Sequence, residues 1–590
     1  MQGPEVAALM CAAVLFGCSS RRNVDDARSG DESANVDNEA VRLPDDSQPE
    51  SFDATAEDAL GTTCMADPLP WNEPDVTARD VVVTDLNPSI HLTRPLSGSR
   101  TTTATPTLAW RADISQARVQ ICLDRACSQI VAESDVDGNS FRPPPLPFGV
   151  NFWRVGSLAS GSLEAVSPTW EFSVPRGSTA IDSSRGWIED FDGDRVDDVV
   201  AGGYVARGRG SEAWIYRGGN CALSPVSLGL EWLPSPAALV QRLGDLNGDG
   251  RSDLGLHSTD GLAHYCLGVD STTPTVAAIG MTTSDGTVVS LFYGGDPNGD
   301  GFSDVLVRLV DDTTSRAVLI PGSPTGPQLS RLWVVDSSPS VGYYSVQGVG
   351  DVNGDGLSDI LVGHANRTLL LFSAGTGSGA VLLDGTTPFL TLGPSGDING
   401  DSLADFAVGT SEGVRVYLGT PDLAALRGDL ITAPDAADGG FPLPFGSAVD
   451  LGGDYTGDGF SDLVVSAPCA PARDTCADGR VAVYYGGRGG LNPNPTLLNP
   501  PGGASAFGRS IAATGDWDGD GFDDLFVGSP SWDGSQGAGI SILYFGDATG
   551  LGDSGRLVIH ERDVAAFGSL VAERQSAHVR SQSFQVRSGG

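Results

Sequence analysis

The chain has 590 residues, of which 79 are Gly and 37 Pro; about a fifth of it therefore punctuates or breaks regular structure, which argues against a helical bundle or coiled coil. Its 75 acidic residues outnumber 35 basic ones for a net charge of −40, and every basic residue is Arg. Such acidity repels phosphate backbones and speaks against nucleic-acid binding, while the lack of Lys removes any lysine Schiff base or P-loop lysine. The 40% apolar content supports real cores, and the length suggests two to four units at roughly 100 to 200 residues each.

In chain order, residues 1–18 read as an export signal. Val6 to Phe16 is an 11-residue apolar run, too short to cross a membrane and of the right length for a signal-peptide core. It ends in Leu15-Phe16-Gly17-Cys18, which resembles a bacterial lipoprotein lipobox and implies Cys18 as the lipidation site. Ordinary secretion and a buried helix are the alternatives. Ser19 after that cysteine implies, by the same resemblance, the outer membrane and cell surface. Residues 19–87 read as an acidic disordered stalk; to residue 80 they hold 16 acids against 5 Arg, a self-repelling net of −11. Contact with a membrane is expected only through the N-terminal lipid.

Cysteine usage fits an oxidising compartment. Cys122 and Cys127, and likewise Cys469 and Cys476, are close enough in sequence to close small disulfide loops; Cys221 and Cys266 either pair or stay free, and Cys64 is left over.

Residues 88–176 change to short alternating runs: Thr107-Leu108-Ala109-Trp110, Arg118-Val119-Gln120-Ile121-Cys122, Phe152-Trp153-Arg154-Val155 and Trp170-Glu171-Phe172-Ser173-Val174. Period-two alternation with Trp and β-branched residues predicts half-buried strands of a small β-sandwich. The stretch resembles a fibronectin type III or immunoglobulin-like module. Trp110, Trp153 and Trp170 are expected to fill its core.

Beyond residue 180 one nine-residue loop, D-x-[DNT]-G-D-x-x-x-D, recurs seven times at separations of 55, 51, 55, 46, 57 and 62 residues. Side-chain oxygens at positions one, three, five and nine converge on one point, with the carbonyl of position seven placed to join them. The first loop offers Asp190, Asp192, Asp194, Asp198 and the Val196 carbonyl; the second offers Asp245, Asn247, Asp249, Asp253 and the Arg251 carbonyl. The third has Asp296, Asn298, Asp300, Asp304 and Phe302; the fourth Asp351, Asn353, Asp355, Asp359 and Leu357. The fifth has Asp397, Asn399, Asp401, Asp405 and Leu403; the sixth Asp454, Thr456, Asp458, Asp462 and Phe460; the seventh Asp516, Asp518, Asp520, Asp524 and Phe522.

Hard oxygen ligands without His or Cys select Ca²⁺ over Mg²⁺, which demands a stricter octahedron, so up to seven Ca²⁺ are expected. Position four is Gly in every copy, but position six is Arg195 in the first and Ser402 in the fifth, which predicts strain or weak binding there; Thr456 weakens the sixth. An EF-hand needs a Glu at position twelve, where this chain has Ala201, Leu256, Val307, Val362, Val408, Val465 and Val527. Each of these belongs to a strand-like run, and a second run ending in glycine follows, as in Val414-Arg415-Val416-Tyr417-Leu418-Gly419. Strand, loop, strand, turn and strand make one blade of a β-propeller.

The unit resembles the FG-GAP repeat of integrin α-subunit propellers. Phe445-Gly446 and Phe507-Gly508 each stand nine residues before a loop, and Ser466-Ala467-Pro468 and Gly528-Ser529-Pro530 stand where the second half of that signature falls. The resemblance implies an all-β fold with a seven-bladed propeller over residues 180–572. It implies a calcium-rigidified face and an opposite face of variable loops that binds an extracellular protein or glycan without catalysis, most simply as a monomer. The alternative is a carbohydrate-active enzyme, since some polysaccharide lyases carry such propellers. Against it, His91, His257, His264, His364, His560 and His578 form no recognisable constellation, with His257 and His264 the nearest to a pair. Arg427-Gly428-Asp429 spells an integrin-binding tripeptide, a match that arises readily by chance. Phe567-Gly568 opens an eighth copy with no loop after it. Either Phe567 to Ala572 closes the ring against the first blade, with 573–590 as a tail, or the reading is truncated.

Overall fold

The computed structural model describes residues 90–159, 162–205, 211–219, 226–227, 240–257, 263–268, 275–279, 288–310, 315–329, 333–338, 344–364, 369–372, 380–384, 389–434, 445–468, 479–500, 506–529, 538–553 and 556–571. The expected signal, Cys18, the stalk and residues 573–590 lie outside them. Among the described residues the chain is all-β, with a single 3₁₀ turn at Leu423–Ala425.

Two sheets form the N-terminal domain. Ile90–Arg94, Leu108–Ala112 and Ser140–Phe141 make one. The other runs Ser184–Arg185, Ser99–Thr101, Trp170–Val174, Gly149–Ala159, Ala117–Cys122, Ile130–Val136, with Ser162–Val166 added on Gly149–Ala159. Alternation puts Leu108, Trp110, Val119, Ile121, Trp153, Val155, Trp170 and Phe172 into one core between them, Trp153 and Trp170 meeting edge to face at 6.4 Å. Of the two disulfides expected from spacing, the one between Cys122 and Cys127 is formed. The other is not among the disulfides seen: Cys469 and Cys476 both fall in the segment 469–478, outside the described residues, so a bond between Cys476 and Cys469 stays an expectation from their spacing alone. The second sheet runs on past residue 176. Thr102 and Ser183 exchange hydrogen bonds, and Ser184–Arg185 pairs with Ser99–Thr101, so residues 183–185, expected at the start of the propeller, join this domain's sheet.

Five four-stranded antiparallel meanders follow, each built from one repeat: Val240–Gly244 to Thr275–Ile279, Val288–Gly295 to Trp333–Ser338, Tyr344–Gly348 to Ala380–Asp384, Phe389–Gly396 to Gly428–Ile431, and Ala448–Gly453 to Thr496–Leu498. The repeated loop always joins the first strand to the second. A further sheet of seven strands unites the first repeat (Val199–Val205, Ser211–Tyr216, Val226–Ser227) with the last (Ser510–Ala513, Leu525–Ser529, Ala538–Tyr544) through the long strand Arg556–Val571. That strand pairs with Ala538–Tyr544 along its N-terminal half and with Val199–Val205 at its end, Val571 opposite Ala201 and Leu570 opposite Gly202. In the second repeat Val240 faces Leu256 in the same relation, so Val571 holds the register of an innermost strand.

The sheets face one another through apolar side chains because the second strand of each repeat is apolar on both sides. All seven position-twelve residues, Ala201 through Val527, are buried. Phe406 and Val408 of one repeat pack with Leu361 and Leu371 of the preceding one; Val199, Ala201 and Trp214 pack with Ala512, Phe526 and Leu543, joining first repeat to last. Each such Leu, Val or Phe contributes roughly 1.5–3 kcal/mol. The two Phe-Gly pairs have a visible purpose: Phe445 and Phe507 are buried, and the Gly446 and Gly508 N–H groups donate to the Ser466 and Gly528 carbonyls at 3.0 and 3.1 Å.

Deleting residues 566–590 strips the partner of Ala201 and Gly202 from the sheet. At about 1 kcal/mol per lost ladder bond, plus buried area, the thermal midpoint is expected to fall by about 5 °C or more in a melting experiment; an unchanged midpoint would mean that this pairing contributes nothing.

Candidate cation loops

Each loop is drawn into a tight coil by its own carboxylates. The position-one aspartate accepts the N–H of position six at 2.7–2.8 Å in the first six loops, from Arg195, Gly250, Gly301, Gly356, Ser402 and Gly459. In all seven, the N–H of position seven (Val196, Arg251, Phe302, Leu357, Leu403, Phe460, Phe522) donates to the position-five carboxylate at 2.8–3.1 Å. Asn247, Asn298, Asn353 and Asn399 accept the position-five N–H, whereas Thr456 offers only a 3.5 Å hydroxyl contact to Asp454. The coil needs left-handed backbone at position four, where every Gly has φ between 66° and 81°. Position six is left-handed too: Arg195 and Ser402 sit at φ 75° and 69°. The strain at these two, about 1 kcal/mol each, is offset by contacts of their own. Ser402 Oγ accepts from Arg94 at 2.8 Å, and Arg195 donates to the Val150 carbonyl at 2.9 Å.

Position nine ties loop to sheet. One oxygen of Asp198, Asp253, Asp304, Asp405, Asp462 and Asp524 accepts the N–H of the glycine that ends the third strand, Gly218, Gly268, Gly322, Gly419, Gly486 and Gly546, at 2.7–3.0 Å. Its other oxygen accepts the position-two N–H in the first, second, fourth, fifth, sixth and seventh loops. Each carboxylate oxygen keeps a second lone pair for a cation.

Position eight links neighbouring loops. Ser252, Ser303, Ser358, Ala404, Ser461 and Asp523 donate their N–H to the position-one carbonyl of the loop before, at 2.8–3.3 Å. The side chains of Ser358, Ser461 and Asp523 return the contact, accepting the N–H of Asp296, Asp397 and Asp454. Asp197 of the first loop does the same for Asp516 of the seventh at 3.2 Å, and Gly219 donates to the Trp517 carbonyl at 2.7 Å.

The acids are crowded, and those at position nine are buried in every loop, whereas Asp518 and Asp520 are exposed. Oxygens of Asp190, Asp192 and Asp198 lie within 4.8 Å of one another, as do those of Asp516, Asp518 and Asp520. Burial is the main cause that lifts Asp351 and Asp516 to about 6, Asp190 to about 7 and Asp405 to about 8, and it holds Asp253, Asp304, Asp462 and Asp524 well above the usual carboxylate range. Asp523 is the exception: burial pushes it up, but Arg100 and Arg185 outweigh that and hold it low. Among the described residues no donor meets strict hydrogen-bond geometry to either buried carboxylate oxygen of Asp516, the Gly521 N–H being the one that still favours its charge. An oxygen-only donor set with an orphaned buried carboxylate fits a hard divalent cation.

The N-terminal domain is seated on these loops. Arg125, Trp170 and Arg111 donate to the position-four carbonyls of Gly248, Gly299 and Gly354 at 3.0, 3.2 and 2.9 Å. Ser183 donates to the Asp397 carboxylate, and Arg185 pairs with Asp454 at 3.1 Å. The expected core role of Trp170 is therefore joined by a second one. Of the histidines, His91 lies 3.1 Å from the Asp355 carbonyl, while the side chains of His257, His264, His560 and His578 and the sulfurs of Cys221 and Cys266 lie outside the described residues. Arg427 of the Arg-Gly-Asp tripeptide donates to the Ala424 and Leu426 carbonyls, and Gly428 and Asp429 lie in an outer strand.

Raised carboxyl values fix the sign of a pH effect. A carboxyl that titrates higher folded than unfolded contributes stability that is full below its unfolded value near 3.8 and is lost as pH rises through its folded value. Metal-free protein is therefore expected to melt at a lower temperature at pH 8 than at pH 5.5, and added calcium to remove most of that difference; a melting series across this range checks it.

The FG-GAP-like repeat family matches residues 454–527. Mouse (Mus musculus) integrin alpha-3 is 38% identical over 117 residues, 20% of this chain and 11% of that protein. Integrin alpha-PS5 of Drosophila melanogaster is 37% identical over 93 residues, 15% of this chain and 9% of that one. The chain thus spans about a tenth of the length of these relatives. Among solved structures, the BP39L lectin from Burkholderia pseudomallei aligns over 64% of this chain and all of its own at 13% identity and a TM-score of 0.39. The exotype rhamnogalacturonan lyase YesX aligns over 79% and 82% at 14% and 0.30, and the Dos1 propeller over 75% and 83% at 10% and 0.31. The chain carries an FG-GAP-like repeat at residues 454–527 and is homologous to integrin alpha subunits over about a fifth of its length.

Proposed function

We propose that this protein is a non-catalytic, calcium-stabilised binding protein of the cell exterior, built as a seven-bladed β-propeller behind a fibronectin type III-like domain. The observation that carries this reading is the sevenfold recurrence of the loop, with carboxylate oxygens within 4.8 Å of one another in the first and seventh, in a chain with integrin-alpha homology. The sheet order of three strands against Trp170–Val174, Gly149–Ala159, Ala117–Cys122 and Ile130–Val136 supports the fibronectin type III-like assignment. Arg556–Val571, bridging first and last repeats, supports seven blades in a ring with residues 566–571 as the innermost strand of the first.

In this reading, positions one, three, five and nine of each loop and the carbonyl of position seven hold Ca²⁺, whose charge would cancel the clustered aspartates. The loop backbone is already coiled by positions one and five, so only modest turning of oxygens toward a common centre is needed. The loop face carries the N-terminal domain, so partner recognition falls to the opposite end of the strands, where the Thr410–Gly413 turn between second and third strands lies. A protein or glycan outside the cell is the partner class this supports, with export and lipid anchoring at Cys18 as part of the same proposal. No helix among the described residues is long and apolar enough to cross a membrane.

The test is calcium titration of the full chain. Chelation is expected to lower the thermal midpoint by about 10 °C or more, with restoration at roughly 10⁻⁴ to 10⁻³ M calcium, the range of extracellular modules. A glycan array and a pull-down of secreted or surface proteins, each run with and without calcium, are expected to return a calcium-dependent ligand. An unmoved midpoint would sink the cation reading, and turnover of a polysaccharide would sink the non-catalytic one.

A further inference from the structure

Position eight distinguishes the first and seventh loops from the rest. It is Ser or Ala in the five between, but Asp197 and Asp523 in these two. A serine suffices for the contact with the neighbouring loop, as Ser358 and Ser461 show. The extra charge of Asp197 and Asp523 is therefore unnecessary for that contact; Asp197 lies where the last repeat meets the first, and Asp523, whose own contact is with the sixth loop, belongs to the last repeat beside that joint.

A matching excess stands on the N-terminal domain. Arg100 and Arg185 lie directly opposite each other on adjacent strands, 6% and 8% exposed. Two like charges so placed repel, and burying either guanidinium unpaired is costly. Arg100 reaches Asp523 at 2.5 Å and Asp197 at 3.5 Å, while Arg185 reaches Asp523 at 3.3 Å and Asp454 at 3.1 Å. Each side supplies the charge that the other cannot bury alone.

We propose that the N-terminal domain is the clasp of the ring, with Arg100 as an intramolecular ligand that bridges Asp197 of the first repeat to Asp523 of the last. The seam is the one joint at which neighbouring repeats stand at opposite ends of the chain, and Arg100 spans it from outside. This inference needs only the adjacency of first and last repeats made by Arg556–Val571, and it holds whether or not the loops take cations.

Hydrogen exchange on the full chain tests it. Arg100→Met leaves two acids facing each other, and exchange at residues 197–202 and 514–518 is expected to rise at least tenfold while residues 352–361, across the ring, stay within twofold. Adding Asp197→Ser and Asp523→Ser restores the residue used in other loops and is expected to bring the seam back to within threefold of the parent chain. A seam unmoved by Arg100→Met, a rise shared equally by residues 352–361, or no rescue by the serines would overturn the clasp. If Arg100→Met alone fails to fold, folding of the triple variant supports the proposal, and failure of both overturns it. Loss of calcium binding with this pattern intact would count against the cation reading alone.

Discussion

A carboxylate at the ninth loop position holds each repeat together, and nearly everything else in the structure is arranged around it. In six of the seven loops one of its oxygens grips the glycine that ends the third strand, and in six the other grips the start of its own loop. The loop, the second strand and the third strand are thereby fixed to one point. A single buried carboxyl does the work that a larger apolar patch would otherwise do, and it does so with direction, because hydrogen bonds are short and angular. The cost is that seven such carboxyls lie beneath two or three more acidic or amide groups per loop. The fold is thus committed to a region of strong negative potential before any partner is considered.

Arginine answers that potential unevenly. Where the loops face their own centre, among the described residues Arg217 approaches the trio Asp190, Asp192, Asp198, at 2.8 Å from Asp192, while no ion pair reaches the trio Asp516, Asp518, Asp520. Where the loops face the N-terminal domain, arginines do so directly. The arginine-only basic complement suits the second task, since a guanidinium can fork between two carbonyls or two carboxylates and stack on a ring at once. Arg125 shows this: it donates to the Gly248 and Thr169 carbonyls and to Glu171 while lying 4.3 Å over the Phe302 ring.

Strand positions and loops were legible because both rest on short-range pattern. Alternation identified the runs around Trp110, Ile121, Trp153 and Phe172, and the D-x-[DNT]-G-D-x-x-x-D spacing located every loop, with an apolar residue at position twelve that is buried in each. The glycine ending the third strand in six of the repeats was visible as a pattern, but its reason, the bond to position nine, was not. Position eight carried no chemical signal, since a serine in a loop reads as solvent-facing until the neighbouring loop is in place. The Arg100 and Asp523 pair spans 423 residues and involves a side chain that looks like ordinary strand decoration. Residues 180–185 read as the start of the propeller, yet Thr102 and Ser183 pair them with the first domain through hydroxyls rather than apolar contacts.

Contacts from each loop to the one before run head to tail, from Ser252 on Asp190 through Asp523 on Asp454, and Asp516 then finds Asp197. In a linear array of repeats the two end units lack a neighbour on one side, fray first and need special caps. Here the first and last repeats have each other as that neighbour. Each is stabilised from both sides, so local opening at any one loop must break two sets of contacts and weaken both neighbours at the same time. Unfolding of such an array is expected to be all-or-none rather than progressive, and sequence drift in one repeat is felt in the two beside it.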